Sequence, residues 1–392
     1  MSFRAGSTVA ADPDDSRALR VQMGNGGAAT GPLTHKLTSA DPWPVHRSFP
    51  GYRPTPLRSR PDLADQTGVG QVLVKDESHR FGLGAFKALG ASYALAQARR
   101  RGEAVQGAVC TATEGNHGRA VAWASRYHGL DAHVYVPEQT ERARIHAIEG
   151  EGAQVVQVTG DYEAAVERAR SDAEREGWLL VQDTAWPGYT EIPLQIMQGY
   201  TTVFREIEAG GGGAFEDEPP AEGGSVADAD PPADVVFLQA GVGSWAAAGA
   251  AYLKERWGAR APRVVVVEPL AAACVQESVS AGSPSEAGGN RRTAMNGLNC
   301  GVPSTLAYDV LANSADAFVA VGEAWARDAV AALEAGTPAI RSAPAGAAGL
   351  AGLYALTRGA AAVKGASGGT SNPLGLGPES RVLVVNTEGA GV

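Results

Sequence analysis

The chain has 392 residues, 44% of them hydrophobic, and a formal net charge of −10 at pH 7. That apolar content can fill the cores of two or three domain-sized units, while the negative balance argues against a nucleic-acid surface, which needs clustered positive charge. No apolar run approaches the roughly 18 residues of a membrane helix, and the opening MSFRAGSTVAADPDDSRALR lacks the order of a signal peptide, so a cytoplasmic protein with a small-molecule partner is expected.

Residues 1–32 carry Gly, Ala, Asp and Ser without an apolar period and read as a flexible N-terminal arm, with order beginning at Leu33. Beyond it, β-branched runs alternate with Ala-rich amphipathic stretches. Strands are expected at 72–74, 108–111, 132–136, 154–158, 179–182, 235–239, 263–267 and 382–385. Helices are expected at 85–101, 118–128, 140–149, 162–176, 192–207, 244–257 and 323–333. The tract 208–232, containing GGGGAFEDEPPAEGG, is acidic and rich in Gly and Pro, and reads as a flexible surface loop; 365–378 is similar. The alternation implies an α/β architecture with mainly parallel sheets, whose ligands sit at the carboxyl ends of strands. Cys110, Cys274 and Cys300 are odd in number and widely spaced, which favours buried free thiols over a disulfide framework or a metal site.

Three segments carry chemistry. Lys87, one of only five lysines, opens an apolar helix in GLGAFKALG next to Phe86. Loss of hydration there frees an amine to attack an aldehyde, unless the side chain merely snorkels to water. The turn ATEGNHG places Glu114, Asn116 and His117 between a strand and a helix. Backbone amides at such a turn hold an anionic oxygen, the alternative being a plain helix cap by Thr113 or Asn116. Gly241, Val242, Gly243 and Ser244 likewise join a strand to a helix. Their amides, the helix dipole and the Ser244 hydroxyl suit a phosphate, with a side chain at Gly243 expected to intrude on it; a tight connecting turn is the bland reading. The spacing fits neither a P-loop nor a dinucleotide fingerprint.

In this order the three segments resemble the landmarks of pyridoxal-phosphate enzymes of fold type II. VKDESHRFGLGAFKALG, VQDTAWPGYTEIPLQIMQGYTTVFRE and MNGLNCGVPSTLAYDVL are similar to signature stretches of diaminopropionate ammonia-lyases, and the likeness runs from about Leu33 to the C-terminus. The resemblance implies two open, mainly parallel twisted sheets flanked by helices. A large cofactor-binding domain would comprise 33–86 and 190–392, a small one 87–189, in a homodimer. It implies pyridoxal 5'-phosphate held as a Schiff base by Lys87 beside Phe86, Asn116 at the phenolic oxygen, and Gly241 through Ser244 on the phosphate. Asn386 or Thr387 would meet the pyridine nitrogen, and an uncharged partner there suits β-elimination.

Glu114 and Asp183 take the places of the family's substrate-facing acids, although Glu114 stands where Asp is usual, which alters geometry near the substrate's α-carbon. Lys87 and Glu114 are the two candidate bases, one for each enantiomer. RSAPAGAAG at 341–349 and the terminal TEGAGV also depart from the family pattern. The implied reaction converts 2,3-diaminopropionate to pyruvate and ammonia through an aminoacrylate. Two readings compete with it: a lyase or β-replacement enzyme acting on another β-substituted amino acid, of serine/threonine dehydratase or biosynthetic type, and a binding protein that kept the fold without the activity.

Overall fold

The computed structural model describes residues 16–27, 31–102, 107–113, 115–210, 230–288, 292–359 and 372–391. Glu114 and most of the acidic tract expected as a loop lie outside them. The described residues form eleven strands: β1 (Leu19–Met23), β2 (Leu57–Ser59), β3 (Gln71–Asp76), β4 (Ala108–Ala112), β5 (Asp131–Pro137), β6 (Gln154–Val158), β7 (Leu179–Leu180), β8 (Val235–Gln239), β9 (Arg263–Pro269), β10 (Ala317–Val321) and β11 (Arg381–Asn386). The helices in the first half are α1 (Pro32–Thr38), α2 (Trp43–Arg47), α3 (Pro61–Thr67), α4 (Lys87–Arg100), α5 (Asn116–His128), α6 (Arg142–Glu149), α7 (Tyr162–Glu176) and α8 (Glu191–Ala209). They are followed by α9 (Ser244–Trp257), α10 (Cys274–Ala281), α11 (Thr305–Ser314), α12 (Glu323–Ala335) and α13 (Ala348–Arg358).

The strands form two sheets. The larger runs β1-β10-β9-β8-β11-β3-β2, with β10 through β3 parallel and the outer strands antiparallel. The smaller, β6-β5-β4-β7, is wholly parallel. Strands β8 and β10 are buried at every position, and β9 and β11 at all but their first. A parallel sheet covered by helices on both faces demands such continuous apolar runs. The structure corrects the reading of the N-terminal tract: within the expected arm, β1 pairs with β10 from Leu19↔Val321 to Met23↔Ala317, so order precedes Leu33.

Two features fix the helix that begins at Lys87. Helices α4 and α8 cross with almost no space between backbones: a Cβ on Gly199 would lie 2.4 Å from the Leu89 carbonyl oxygen, and one on Gly90 2.6 Å from the Tyr200 ring. The segment leading into α4 is pinned by a buried ionic network. Glu206 accepts from Lys75 at 2.7 Å, from both terminal nitrogens of Arg80 at 2.8 Å, and from Tyr52 at 2.6 Å. Arg80 also donates to Glu77 at 2.8 Å. Burial opposes the charge on Glu206, but Arg80 and Lys75 override it and bring its carboxyl down to about 2. Lys75 is therefore a structural lysine.

Candidate active site

The loops after β3, β4, β8 and β11 converge on one cleft. Its walls include Phe86, Lys87, Asn116, His117, Asp183, the run 240–245, Thr387 and Glu388. Two returning segments are stitched together there: Phe86 N–H donates to Thr387 O at 3.2 Å, Gly389 N–H to Gly84 O at 2.8 Å, and Ala85 bridges Glu388. That pairing sets the first turn of α4 beside the end of β11. Gly118 lets the turn after β4 close, since a Cβ there would stand 2.3 Å from Thr113 Cγ2 and 2.7 Å from Val134.

Lys87 Nζ donates to Asp183 Oδ2 at 2.6 Å, with side-chain exposures of 22% and 10%. Burial disfavours both charges, and their mutual attraction outweighs it, holding the ammonium above the usual lysine range and the carboxyl well below the usual aspartate range. His117 Nε2 meets the Val181 carbonyl at 2.8 Å and must carry the hydrogen, since a carbonyl only accepts. Among the described residues its Nδ1 has no hydrogen-bond partner, and it lies 3.8 Å from Asp183 Oδ2. Burial lowers the imidazole's pKa, so the ring is neutral and presents a bare nitrogen to the Lys87–Asp183 pair. Asp183 is held from the other side, its main-chain oxygen accepting from Ser244 Oγ at 2.8 Å.

Across the cleft, Asn116 Nδ2 donates to Glu388 Oε2 at 2.5 Å. Burial pushes the Glu388 carboxyl up to about 7, against the pull of Arg144, Lys87 and Asn116. Of the two residues expected near the pyridine nitrogen, Thr387 faces the cleft, its hydroxyl accepting from Gln239 at 2.9 Å. Asn386 does not. Its side chain is buried and engaged by Asp76 at 2.9 Å and Ser342 at 2.6 Å. Phe86 packs its ring 4.7 Å from Tyr200 and 4.8 Å from Trp245, under the lysine. Glu114 lies outside the described residues.

The glycine loop fits a phosphate ester. Among the described residues, none of the amides of Gly241, Val242, Gly243 and Ser244 donates to another protein group, and α9 begins there with its positive end toward the cleft wall. Four open main-chain donors and a lysine amine in one cleft are the donor set an aldehyde bearing a phosphate requires. Two details differ from expectation. The Ser244 hydroxyl is engaged by Asp183, leaving its amide as the donor. Gly243, at φ +92°, would direct a side chain into Ala307, Leu311 and Val275, within 3.0 to 3.3 Å, and so toward the core instead of the phosphate.

Glu388 and Arg144 also line the cleft and escaped the sequence reading; the segment 296–300 lines it too, and lies in the signature stretch MNGLNCGVPSTLAYDVL but was given no role in the site. Glu388 sits one residue past the pair singled out in LVVNTEG; Arg144 lies in an ordinary amphipathic helix and carries no local signal. Cys110 and Cys274 are buried free thiols, whereas Cys300 is half-buried on the cleft wall.

Residues 48–387 match the family model described as pyridoxal-phosphate dependent enzyme. The diaminopropionate ammonia-lyase of Escherichia coli (strain K12) is 36% identical over 88% of this chain and 86% of its own. That of Salmonella typhimurium (strain LT2) is 34% identical over 94% and 93%. The crystal structure of the Escherichia coli enzyme in complex with an aminoacrylate-PLP azomethine reaction intermediate superposes with a TM-score of 0.79 at 32% identity, covering 96% of this chain and 94% of that one. With the cleft, the amide cradle and the lysine at its base, these likenesses establish that the chain belongs to the fold type II pyridoxal-phosphate-dependent enzymes, as a lyase of the diaminopropionate ammonia-lyase family.

Proposed function

We propose that the chain eliminates ammonia from 2,3-diaminopropionate, the released enamine taking up water to give pyruvate and a second ammonia. The observation that carries this reading is the Lys87–Asp183 pair, 2.6 Å long, in one cleft with four loop amides that donate to no group among the described residues. Pyridoxal phosphate, when bound, supplies an aldehyde that condenses with amines and a conjugated ring that takes up the electrons of the α-C–H bond. The amides of Gly241 through Ser244 would bind its phosphate, Asn116 would meet its phenolic oxygen, and Thr387 would offer a neutral hydroxyl to its ring nitrogen.

As an ammonium, Lys87 is neither nucleophile nor base, so its proton has to leave before it acts. Asp183 lies within reach of that proton and the bare Nδ1 of His117 lies 3.8 Å beyond. Lys87 then serves the α-proton of one enantiomer and Glu114 that of the other. A substrate panel tests the reading: ammonia and pyruvate are followed with D- and L-forms of diaminopropionate, serine and threonine, with and without added nucleophile. Diaminopropionate should be turned over fastest. Glu114 in place of the family's Asp favours a second reading, a lyase or β-replacement enzyme for another β-substituted amino acid, which a faster rate on such a substrate or incorporation of the nucleophile would establish instead.

We further propose a homodimer in the cytoplasm; among the described residues no helix is long and apolar enough to cross a membrane. Light scattering at twice the monomer mass of 40.2 kDa checks the dimer, and cell fractionation the compartment.

A further inference from the structure

A side-chain amide turned by 180° keeps its shape but exchanges donor for acceptor. A site that needs the nitrogen of Asn116 toward an anionic oxygen must therefore fix that choice. Asn116 Nδ2 carries two hydrogens, and Glu388 takes one of them at 2.5 Å. An ionised carboxyl accepts only, so it attracts Nδ2 and repels Oδ1.

We infer that Glu388 is a positioning residue acting through Asn116: it locks the amide with its nitrogen toward the cleft and leaves the second N–H for the phenolic oxygen of the cofactor. This rests on the assignment of Asn116 to that oxygen in the proposed function. Glu388 is well placed to act as a fixed stop. Its main chain bridges Ala85, and its carbonyl accepts from Ala343 N–H at 3.3 Å. Beside its carboxyl is Gly297, where a Cβ would lie 3.3 Å from Oε2.

The lock depends on charge. The charged groups facing Glu388 are Arg144 from α6 and Lys87 from α4, and burial opposes them, so the carboxyl titrates at about 7. Once protonated, Glu388 can donate to Oδ1, both orientations of the amide become acceptable, and the cofactor oxygen loses an assured donor. The lock is thus present above neutral pH and released as pH falls through that value.

The test is equilibrium dialysis of the holoenzyme against known concentrations of pyridoxal phosphate, with the visible absorbance of the bound cofactor recorded in parallel. Glu388→Ala should weaken cofactor binding about tenfold or more, the scale of one hydrogen bond to a charged group, and shift the absorbance band. Asn116→Ala should weaken it at least as much, and the double variant no further than Asn116→Ala alone, because the two act as a unit. Wild type should lose affinity below neutral pH, and in Glu388→Gln, which preserves shape and serves if the alanine variant does not fold, that loss should vanish. Additive effects of Glu388→Ala and Asn116→Ala, or an unaltered pH profile in Glu388→Gln, overturn the inference while leaving Asn116 at the cofactor. Unchanged affinity and absorbance in Asn116→Ala overturn the assignment of Asn116 itself.

Discussion

Replacing Asp183 with Asn should change the pH at which Lys87 captures the cofactor, and in a direction opposite to simple damage. The carboxylate lies 2.6 Å from Nζ. At an effective dielectric of ~20 that separation corresponds to a gross attraction of about 6 kcal/mol. Removal of an opposite charge at this range is worth roughly 1 to 3 pH units once burial is set against it. Lys87 is only 22% exposed, so in the variant desolvation loses its main opponent and the amine sheds its proton at lower pH.

Capture can be followed by mixing cofactor-free protein with pyridoxal phosphate across a pH series, fixing the product with borohydride, and quantifying label on the Phe86–Lys87 peptide. Wild type and Asp183→Asn should give midpoints separated by that amount, with the variant lower. Coincident midpoints would refute the electrostatic account, and label on another lysine would refute the assignment of Lys87.

Three further outcomes are expected. Glu206→Gln leaves Lys75 and Arg80 charged in the interior and should lower stability by about 3 to 5 kcal/mol in chemical denaturation. The native Glu206 carboxyl is depressed, so its contribution is present above the unfolded value of about 4.5 and is lost as pH falls toward 2; the deficit of the variant should shrink in acid. Gly243→Val should destabilise the fold, by roughly 1 to 3 kcal/mol of overpacking plus the strain of a positive φ, and a melting temperature equal to wild type would show that the loop has room to give. Glu114→Gln should slow one enantiomer of the substrate by about 10²-fold and the other much less; equal effects on both would remove Glu114 from the mechanism.

Strands β8, β9 and β11 were legible because buried parallel strands read as unbroken Val and Leu runs. Strand β10, AFVAV, and helix α13, AGLAGLYALTR, were not: alanine and glycine carry little apolar contrast, and it is burial between larger elements that decides their state. In the site, Lys87, Asn116 and the glycine loop each announced themselves by a strand-to-helix turn. Asp183 follows a two-residue strand and has no such mark; only likeness to a family singled it out. Glu388 and Arg144 reach the cleft by way of contacts between segments hundreds of positions apart, such as Gly389 with Gly84, which no local pattern encodes. Asn386 and Thr387 were separated by the alternation of side chains along β11 and its exit, which turns Asn386 onto Asp76 and Thr387 into the cleft.

The short β1 strand has a consequence for handling the protein. It covers β10, whose five residues are all buried. Its own side chains are half-buried up to an exposed Met23, and Arg20 bonds Gln276 at 2.6 Å and Glu277 at 3.0 Å. Removing residues 1–23 would uncover a row of unpaired amides and carbonyls on an apolar strand, a template onto which another molecule can add. The trimmed enzyme would keep every group that lines the cleft and yet be prone to self-association, with a tendency to precipitate that rises with concentration and bears no relation to its occupancy by cofactor.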